Sequence, residues 1–313
     1  MFKFNFLFTI VENRRKYYIF SSILIGLGIL AMIYAYVTTG SVFRIGVDFR
    51  SGTRFEVQFT EIVSEQELRE LFNDTGISNP SIIALRGENL ENAWQIRSEF
   101  VSPEEAQAII DAMEDELAPL VPGTIQIQSV SPIVGAEVTR AAVIAVFVAA
   151  IAILLYIMLV FRQVPNSFRY GASAVAAMVH DLFIISGFAA ITGVFLGWEV
   201  DALFLTAVLT VVGFSLQDTI VVFDRIRENI AKRPLERYEK LVNRSILETF
   251  HRSVVTQLSA MFIMVAILLF GGASIKPFIA VLFVGMLSGT YSSIFIASPL
   301  LVSWEKGEIP LVK

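Results

Sequence analysis

Six stretches of this chain are almost free of charge, and no other feature limits its fold as much. Residues 17–43, 141–161, 254–275 and 277–304 contain no Asp, Glu, Lys or Arg. Residues 170–198 are broken only by His180 and Asp181, and residues 202–223 only by Asp218. A helix needs about 20 apolar residues, at about 1.5 Å each, to cross the hydrocarbon core of a bilayer. Each stretch is long enough. Composition agrees, with 55% apolar and 17% charged residues and 26 Phe in 313. A soluble domain carries roughly 25% charged residues. The sequence therefore predicts an α-helical polytopic membrane protein with six transmembrane helices. The first apolar run exceeds the roughly 7–15 residues of a cleavable signal core, so it is expected to remain as an anchor.

Lys and Arg in short loops set orientation. They gather at Lys3, Arg14, Arg15 and Lys16, and again at Arg162 and Arg169. A third group runs from Arg225 through Arg227, Lys232, Arg233, Arg237 and Lys240 to Arg244, and Lys306 and Lys313 follow the last span. The opposite turns offer only Glu199 with Asp201, and Lys276. Six spans with both ends in the cytoplasm fit this pattern. The expected segments are a cytoplasmic N-terminus over 1–16, a first helix over 17–37 and an extracytoplasmic domain over 38–137. A five-helix region over 138–304 follows, with a cytoplasmic loop at about 224–250, and then a cytoplasmic tail over 305–313. The outer domain has net charge −11 and the remainder +6, an acidic exterior over a basic inner face. Nothing in this balance calls for nucleic acid.

The outer segment reads as a folded domain. Residues 53–59 alternate apolar and polar, as a half-buried strand does. Ser64 to Glu67 is a capping box opening a helix to about Asp74, and Gly76 stops it. Residues 81–86 form a second strand, 87–92 a turn, and 94–100 a third strand. Ser102 to Glu105 is another capping box, with Pro103 at the first helical position and a helix to about Leu117. Residues 124–130 give the last strand. The order β-α-β-β-α-β is that of a ferredoxin-like α+β domain. Before the first strand, 46–52 suggest a tight turn with a capping Asp48, or a hinge.

Enzymatic signals are missing. The chain has no Cys and only two His, neither in an HExxH pattern, which argues against disulfides, thiolate sites and zinc. No glycine-rich phosphate loop occurs. The expectation is a protein that is not an enzyme and has neither cofactor nor metal.

Ionisable residues inside a span are costly and mark function. Asp218 sits 16 residues after the start of the fourth run, about 24 Å down a helix. His180 and Asp181 lie near the middle of the third run, either as a mutually satisfied pair or as members of a relay. Arg252 opens the fifth run. It either snorkels to the headgroups or pairs with Asp218. In the sixth run Gly285 and Gly289 form a GxxxG, which permits close helix contact.

The run Gly213-Phe214-Ser215-Leu216-Gln217-Asp218-Thr219-Ile220-Val221-Val222-Phe223-Asp224-Arg225-Ile226-Arg227-Glu228-Asn229 closely resembles the fourth-span signature of the SecD/SecF family of bacterial protein-export membrane subunits. Gly46-Val47-Asp48-Phe49-Arg50-Ser51-Gly52-Thr53 is similar to the family's segment at the start of its outer domain. Asn243-Arg244-Ser245 and His251-Arg252-Ser253-Val254-Val255-Thr256 look like its motif leading into the fifth span. The resemblance covers roughly residues 40 to 300. Within it the motif positions are Gly213, Ser215, Gln217, Thr219, Asp224, Arg225, Gly46, Asp48 and Gly52. Phe214, Gln217 and Ser51 depart from the usual Tyr, Asn and Gly.

The resemblance implies a half-transporter of the resistance-nodulation-division type in the bacterial cytoplasmic (inner) membrane. Its partners would be SecD, forming a twelve-helix unit, the SecYEG channel, YajC, unfolded preprotein and membrane lipid. It implies that proton motive force assists a late, ATP-independent stage of export. The acidic residue at Asp218 would then take part in proton movement with Arg252 as its partner. An intramembrane aspartyl protease built on Asp181 and Asp218 lacks the Gly-x-Gly-Asp context. A small-molecule exporter of the same superfamily usually carries two outer domains in one chain. A non-transporting scaffold leaves Asp218 unexplained.

Overall fold

A helix in lipid must satisfy its own backbone, so uncharged runs of Ala, Val, Leu and Ile become long helices. In this computed structural model, residues 9–77, 80–85, 91–164, 166–272 and 275–308 are described. The chain opens with α1 (Arg14–Thr39), closed by Gly40 in the left-handed region at φ 75°. A single helical turn, α2 (Val47–Arg50), leads into β1 (Gly52–Gln58), α3 (Glu65–Asp74), β2 (Ser81–Leu85), β3 (Ala93–Ser98), α4 (Pro103–Glu116) and β4 (Gln126–Val130). Then come α5 (Pro132–Val160), α6 (Ser167–Phe195), α7 (Ala202–Lys232) and α8 (Tyr238–Phe270). The last span is α9 (Lys276–Ser292), a π-helical turn (Ser293–Ala297) and α10 (Ser298–Glu305). Among the described residues, six helices are long and apolar enough to cross a membrane.

Several boundaries differ from the sequence reading. The second span begins at Pro132 rather than 138, because Ser131 caps it and Pro132 fits its first position. The segment expected as a loop at 224–250 is helical except at 233–237. Pairs such as Asp224–Arg227 and Glu228–Lys232, three and four residues apart, carry α7 past the apolar run. The motif at 46–52 forms α2 rather than a simple turn. Of the expected turn at 87–92, only 91 and 92 lie within the described residues. Residues 1–8 and the tail after 308 lie outside the described residues.

The outer sheet has strand order β2-β3-β1-β4, antiparallel throughout. Both capping boxes are closed in both directions. One sheet face packs Phe55, Val57 and Phe59 against Leu68 and Phe72 of α3 and Ile109 and Met113 of α4. Phe55 meets Phe72 edge to face, with centroids 5.6 Å apart, a geometry that adds about 1 kcal/mol to area burial. The other face, with Arg54, Glu56, Gln95 and Gln126, turns to the outer ends of α6, α7 and α9 across a cleft of about 920 Å³.

Small residues decide how the helices meet. A Cβ at Gly289 would stand 2.9 Å from Ser215 Cβ, and one at Gly285 would run into the Val211 side chain. The GxxxG of the sixth span is thus the seam between α9 and α7. A Cβ on Gly187 would lie 2.6 Å from Gly28 Cα, which joins α6 to α1 in the same way. At the charged end of the bundle Arg14 Nε bonds Glu308 at 3.0 Å. The start of α1 and the end of α10 therefore lie together, opposite the sheet.

Candidate functional site

The polar centre of the bundle is Asp181, only 1% exposed. Ser288 Oγ donates to its Oδ1 at 2.6 Å, and Ser215 and Ser292 donate to its Oδ2 at 2.7 and 2.8 Å. His180 Nδ1 lies 3.0 Å from Oδ1. His180 Nε2 continues to Ser21 Oγ at 3.1 Å on α1. Four donors thus fill the four lone-pair sites of one carboxylate and tie α1, α6, α7 and α9 into one network. His180 and Asp181 are thus hydrogen-bonded to each other within this network. The three serines were not legible as a site, because an uncharged hydroxyl does not interrupt an apolar run. The one available signal is that Ser288 and Ser292 sit four apart on the helix that carries the GxxxG.

Asp218 is built differently. It is 6% exposed, and Gln257 Nε2 of α8 donates to its Oδ2 at 2.8 Å. Ser253, one turn earlier on α8, interacts with the same carboxylate, yet its Oγ has no hydrogen-bond partner of good geometry. Gln257 Oε1 is also buried without a partner. Asp181 and Asp218 share no hydrogen bond among the described residues.

Arg252 lies exposed on α8 and forms no ion pair with Asp218 among the described residues. The structure therefore brings Gln257, not Arg252, into contact with the carboxylate.

The rest of the fourth-span motif divides by helix face. Ser215 and Thr219 point into the seam, where Thr219 Oγ1 meets Ser293 Oγ of the π-turn at 2.9 Å. Such turns recur at functional positions. Gly213, Phe214 and Gln217 are exposed on the outer side of α7. The departures at Phe214 and Gln217 thus lie away from Asp218. Asp224 pairs with Arg227, and Arg225 with Glu228 and with Glu248 at 2.6 Å, in a surface network beyond the apolar run.

The motif before the sheet joins the outer domain to the bundle. Asp48 Oδ2 accepts from the backbone N–H of Ala202, the first residue of α7, at 2.9 Å, while its Oδ1 accepts from Gln128 of β4 at 2.6 Å. Gly46 N–H bonds Val200 O at 2.8 Å. Gly52 has φ 131° and would place a Cβ 2.6 Å from Ser98 O, so only glycine fits. Beside them the half-turn residue Glu199 contacts Arg97, with Arg54 at 3.8 Å and Arg44 at 3.9 Å.

No group of three or more His, Cys, Asp and Glu able to hold a metal occurs among the described residues.

Comparison with known proteins places this geometry. Residues 112–307 match the family described as protein export membrane protein SecD/SecF, C-terminal. The protein translocase subunit SecF of Anaerolinea thermophila is 41% identical over 284 residues, covering 89% of this chain and 91% of that one. The subunit SecDF of Bacillus subtilis is 35% identical over 303 residues, covering 95% of this chain but 38% of its own. The crystal structure of SecDF from Thermus thermophilus, a translocon-associated membrane protein, superposes with a TM-score of 0.78 at 30% identity over 96% of this chain. This chain spans 39% of that one. The chain belongs to the SecD/SecF family, on its SecF side.

Proposed function

We propose that this SecF-type chain is one half of a SecDF complex that uses proton motive force to assist late, ATP-independent movement of unfolded preprotein across the bacterial inner membrane. Its outer domain, whose chain order is that of a ferredoxin-like fold, would stand on the extracytoplasmic side, with both termini in the cytoplasm. It would work beside the SecYEG channel and YajC, as a transporter and not an enzyme. The observation that carries this reading is Asp218. A carboxylate at membrane depth with a single well-formed side-chain hydrogen bond is free to gain and lose a proton, whereas Asp181 with four donors is a structural anchor.

A second half is supported by what α7 and α8 leave uncovered. Thr206, Gly213 and Gln217 on α7, and Arg252, Thr256 and Ser259 on α8, are exposed. Polar groups at that depth face protein rather than lipid, which suits helices of SecD. Asp218→Asn tests the function. The variant should assemble with SecD and leave the early, ATP-driven stage intact, while stimulation of export by an imposed proton gradient disappears. Normal gradient-driven export in Asp218→Asn would end the proton reading.

A further inference from the structure

The unpartnered oxygens around Asp218 point to residues that neither the family motif nor charge counting selects. Ser253 and Gln257 are four apart on α8, so they share the face turned to α7. They are 2% and 4% exposed. Gln257 spends its amide N–H on Asp218 Oδ2, which leaves Gln257 Oε1 buried and unpaired. Ser253 Oγ beside it is unpaired too. Buried polar atoms of this kind are rare, and each leaves a desolvation cost unmet. Two buried oxygens, Gln257 Oε1 and Ser253 Oγ, thus stand beside the Asp218 carboxylate without a hydrogen bond of good geometry. The other ionisable groups near the site are Arg252, exposed on α8, and Asp181, held by Ser215 one turn before it on α7.

We propose that Ser253 and Gln257 complete the ion-carrying site by holding a water molecule against Asp218, and that this water passes the proton to and from the carboxylate. The stoichiometry of donors fits. A neutral water accepts from Ser253 and donates its two hydrogens to Gln257 Oε1 and Asp218 Oδ1, the three-partner arrangement usual for buried water. A hydronium ion has three hydrogens for the same three oxygens. Transfer of one proton to Asp218 Oδ1 forms the carboxylic acid and leaves neutral water on Ser253 and Gln257. Sodium fits less well. Hard cations take about six or more oxygens, and Arg252 already supplies a positive charge.

The inference rests on the proton role of Asp218, and the test separates the two. The full chain is reconstituted with its SecD-type partner in liposomes, and proton uptake driven by an imposed potential is read with a trapped pH dye. Ser253→Ala removes only a hydroxyl, so a merely structural role predicts uptake that falls only as far as thermal stability falls. The water site predicts uptake lowered at least tenfold with unchanged thermal stability, and rescue by Ser253→Thr. Wild-type uptake in Ser253→Ala, with uptake lost in Asp218→Asn, overturns this inference alone. Normal uptake in Asp218→Asn overturns the proton role and the inference with it. Uptake that stops when choline replaces all sodium assigns the oxygens to sodium and also overturns the proposal.

Discussion

Removing the Asp181 carboxylate should loosen the whole bundle, and the network sets the size of the effect. Asp181→Ala deletes the acceptor for three serines and His180, on α6, α7 and α9. Hydrogen bonds between helices within membranes average about 0.6 kcal/mol, up to about 1.7. Four of them give about 2–4 kcal/mol once some relaxation is allowed. The relaxation is visible in advance, because Ser292 Oγ lies 3.2 Å from Gly289 O. A freed serine can turn to its own helix in this way. Asp181→Asn should cost no more than about 1 kcal/mol. Its oxygen keeps Ser288 and His180, and its amide can donate to Ser215 and Ser292, whose hydroxyls accept as readily as they donate. The assay is reversible unfolding of the purified chain in mixed micelles against rising SDS, comparing midpoints at constant slope. If Asp181→Ala lies within about 0.5 kcal/mol of the wild type, the network carries no stability. If Asp181→Asn is as costly as Asp181→Ala, charge rather than hydrogen-bond geometry holds the helices.

Three further outcomes follow from named contacts. If Arg252 acts on Asp218 at a distance, Arg252→Lys should keep gradient-driven export and Arg252→Met should lose most of it; equal export from both removes the charge from the mechanism. Gly289→Val would drive methyl groups into Ser215 at the α7–α9 seam, costing about 1–3 kcal/mol by overpacking; an unchanged SDS midpoint would contradict so close an approach. Backbone N–H groups of Ser64 and Ser102 hold the Glu67 and Glu105 carboxyls below the usual glutamate range. A lowered folded value means that this stabilisation is present above the unfolded pKa and is lost as pH falls through the folded one. The outer domain should therefore weaken in acid, and Glu67→Gln with Glu105→Gln should flatten that part of its stability–pH curve, read by circular dichroism.

What the sequence exposed, and what it hid, follows from the kind of signal each feature leaves. Charge is absent over lengths that a bilayer requires, so six spans can be counted directly. Ser64 with Glu67 and Ser102 with Glu105 interact within one turn, so both helix starts are local and legible. Alternation in β1 likewise marks which residues meet α3 and α4. Partners across helices leave no such trace. Gln257 and Asp218 are 39 positions apart, and an amide in an apolar run reads as one more tolerated polar residue. Neither Gly28 nor Gly187 belongs to a GxxxG. The π-turn at 293–297 follows from how Ser293 bonds Gly289 O and Ser215 O, which no periodicity foretells. Asp48 suggested a local cap, and it does cap a helix, but one that begins 154 residues later.

That last contact bears on how the outer domain and Asp218 relate. An N-cap acceptor satisfies a backbone N–H that would otherwise be orphaned and favours the positive end of the helix dipole. Asp48 does this for α7 from outside the helix, and the same side chain is held by Gln128 of the sheet. Thr139 of α5 grips the next residue through Phe49 O at 3.0 Å. Glu199, just ahead of α7, is enclosed by Arg97, Arg54 and Arg44 from the sheet and its approach. The start of α7 is therefore fixed to the outer domain at several points and from both strand and loop. From Ala202 to Asp218 the chain is one unbroken helix, about 24 Å long. On the proposed proton role, a tilt at Asp218 would be carried along this helix to Asp48 and Glu199 without passing through a flexible joint. The glycine at 46 serves the same linkage, since a Cβ there would stand 2.9 Å from Asp201 Cβ and 3.1 Å from Val200 O across the junction. The motif ahead of the sheet and the motif in the fourth span are thus the two ends of a single mechanical element.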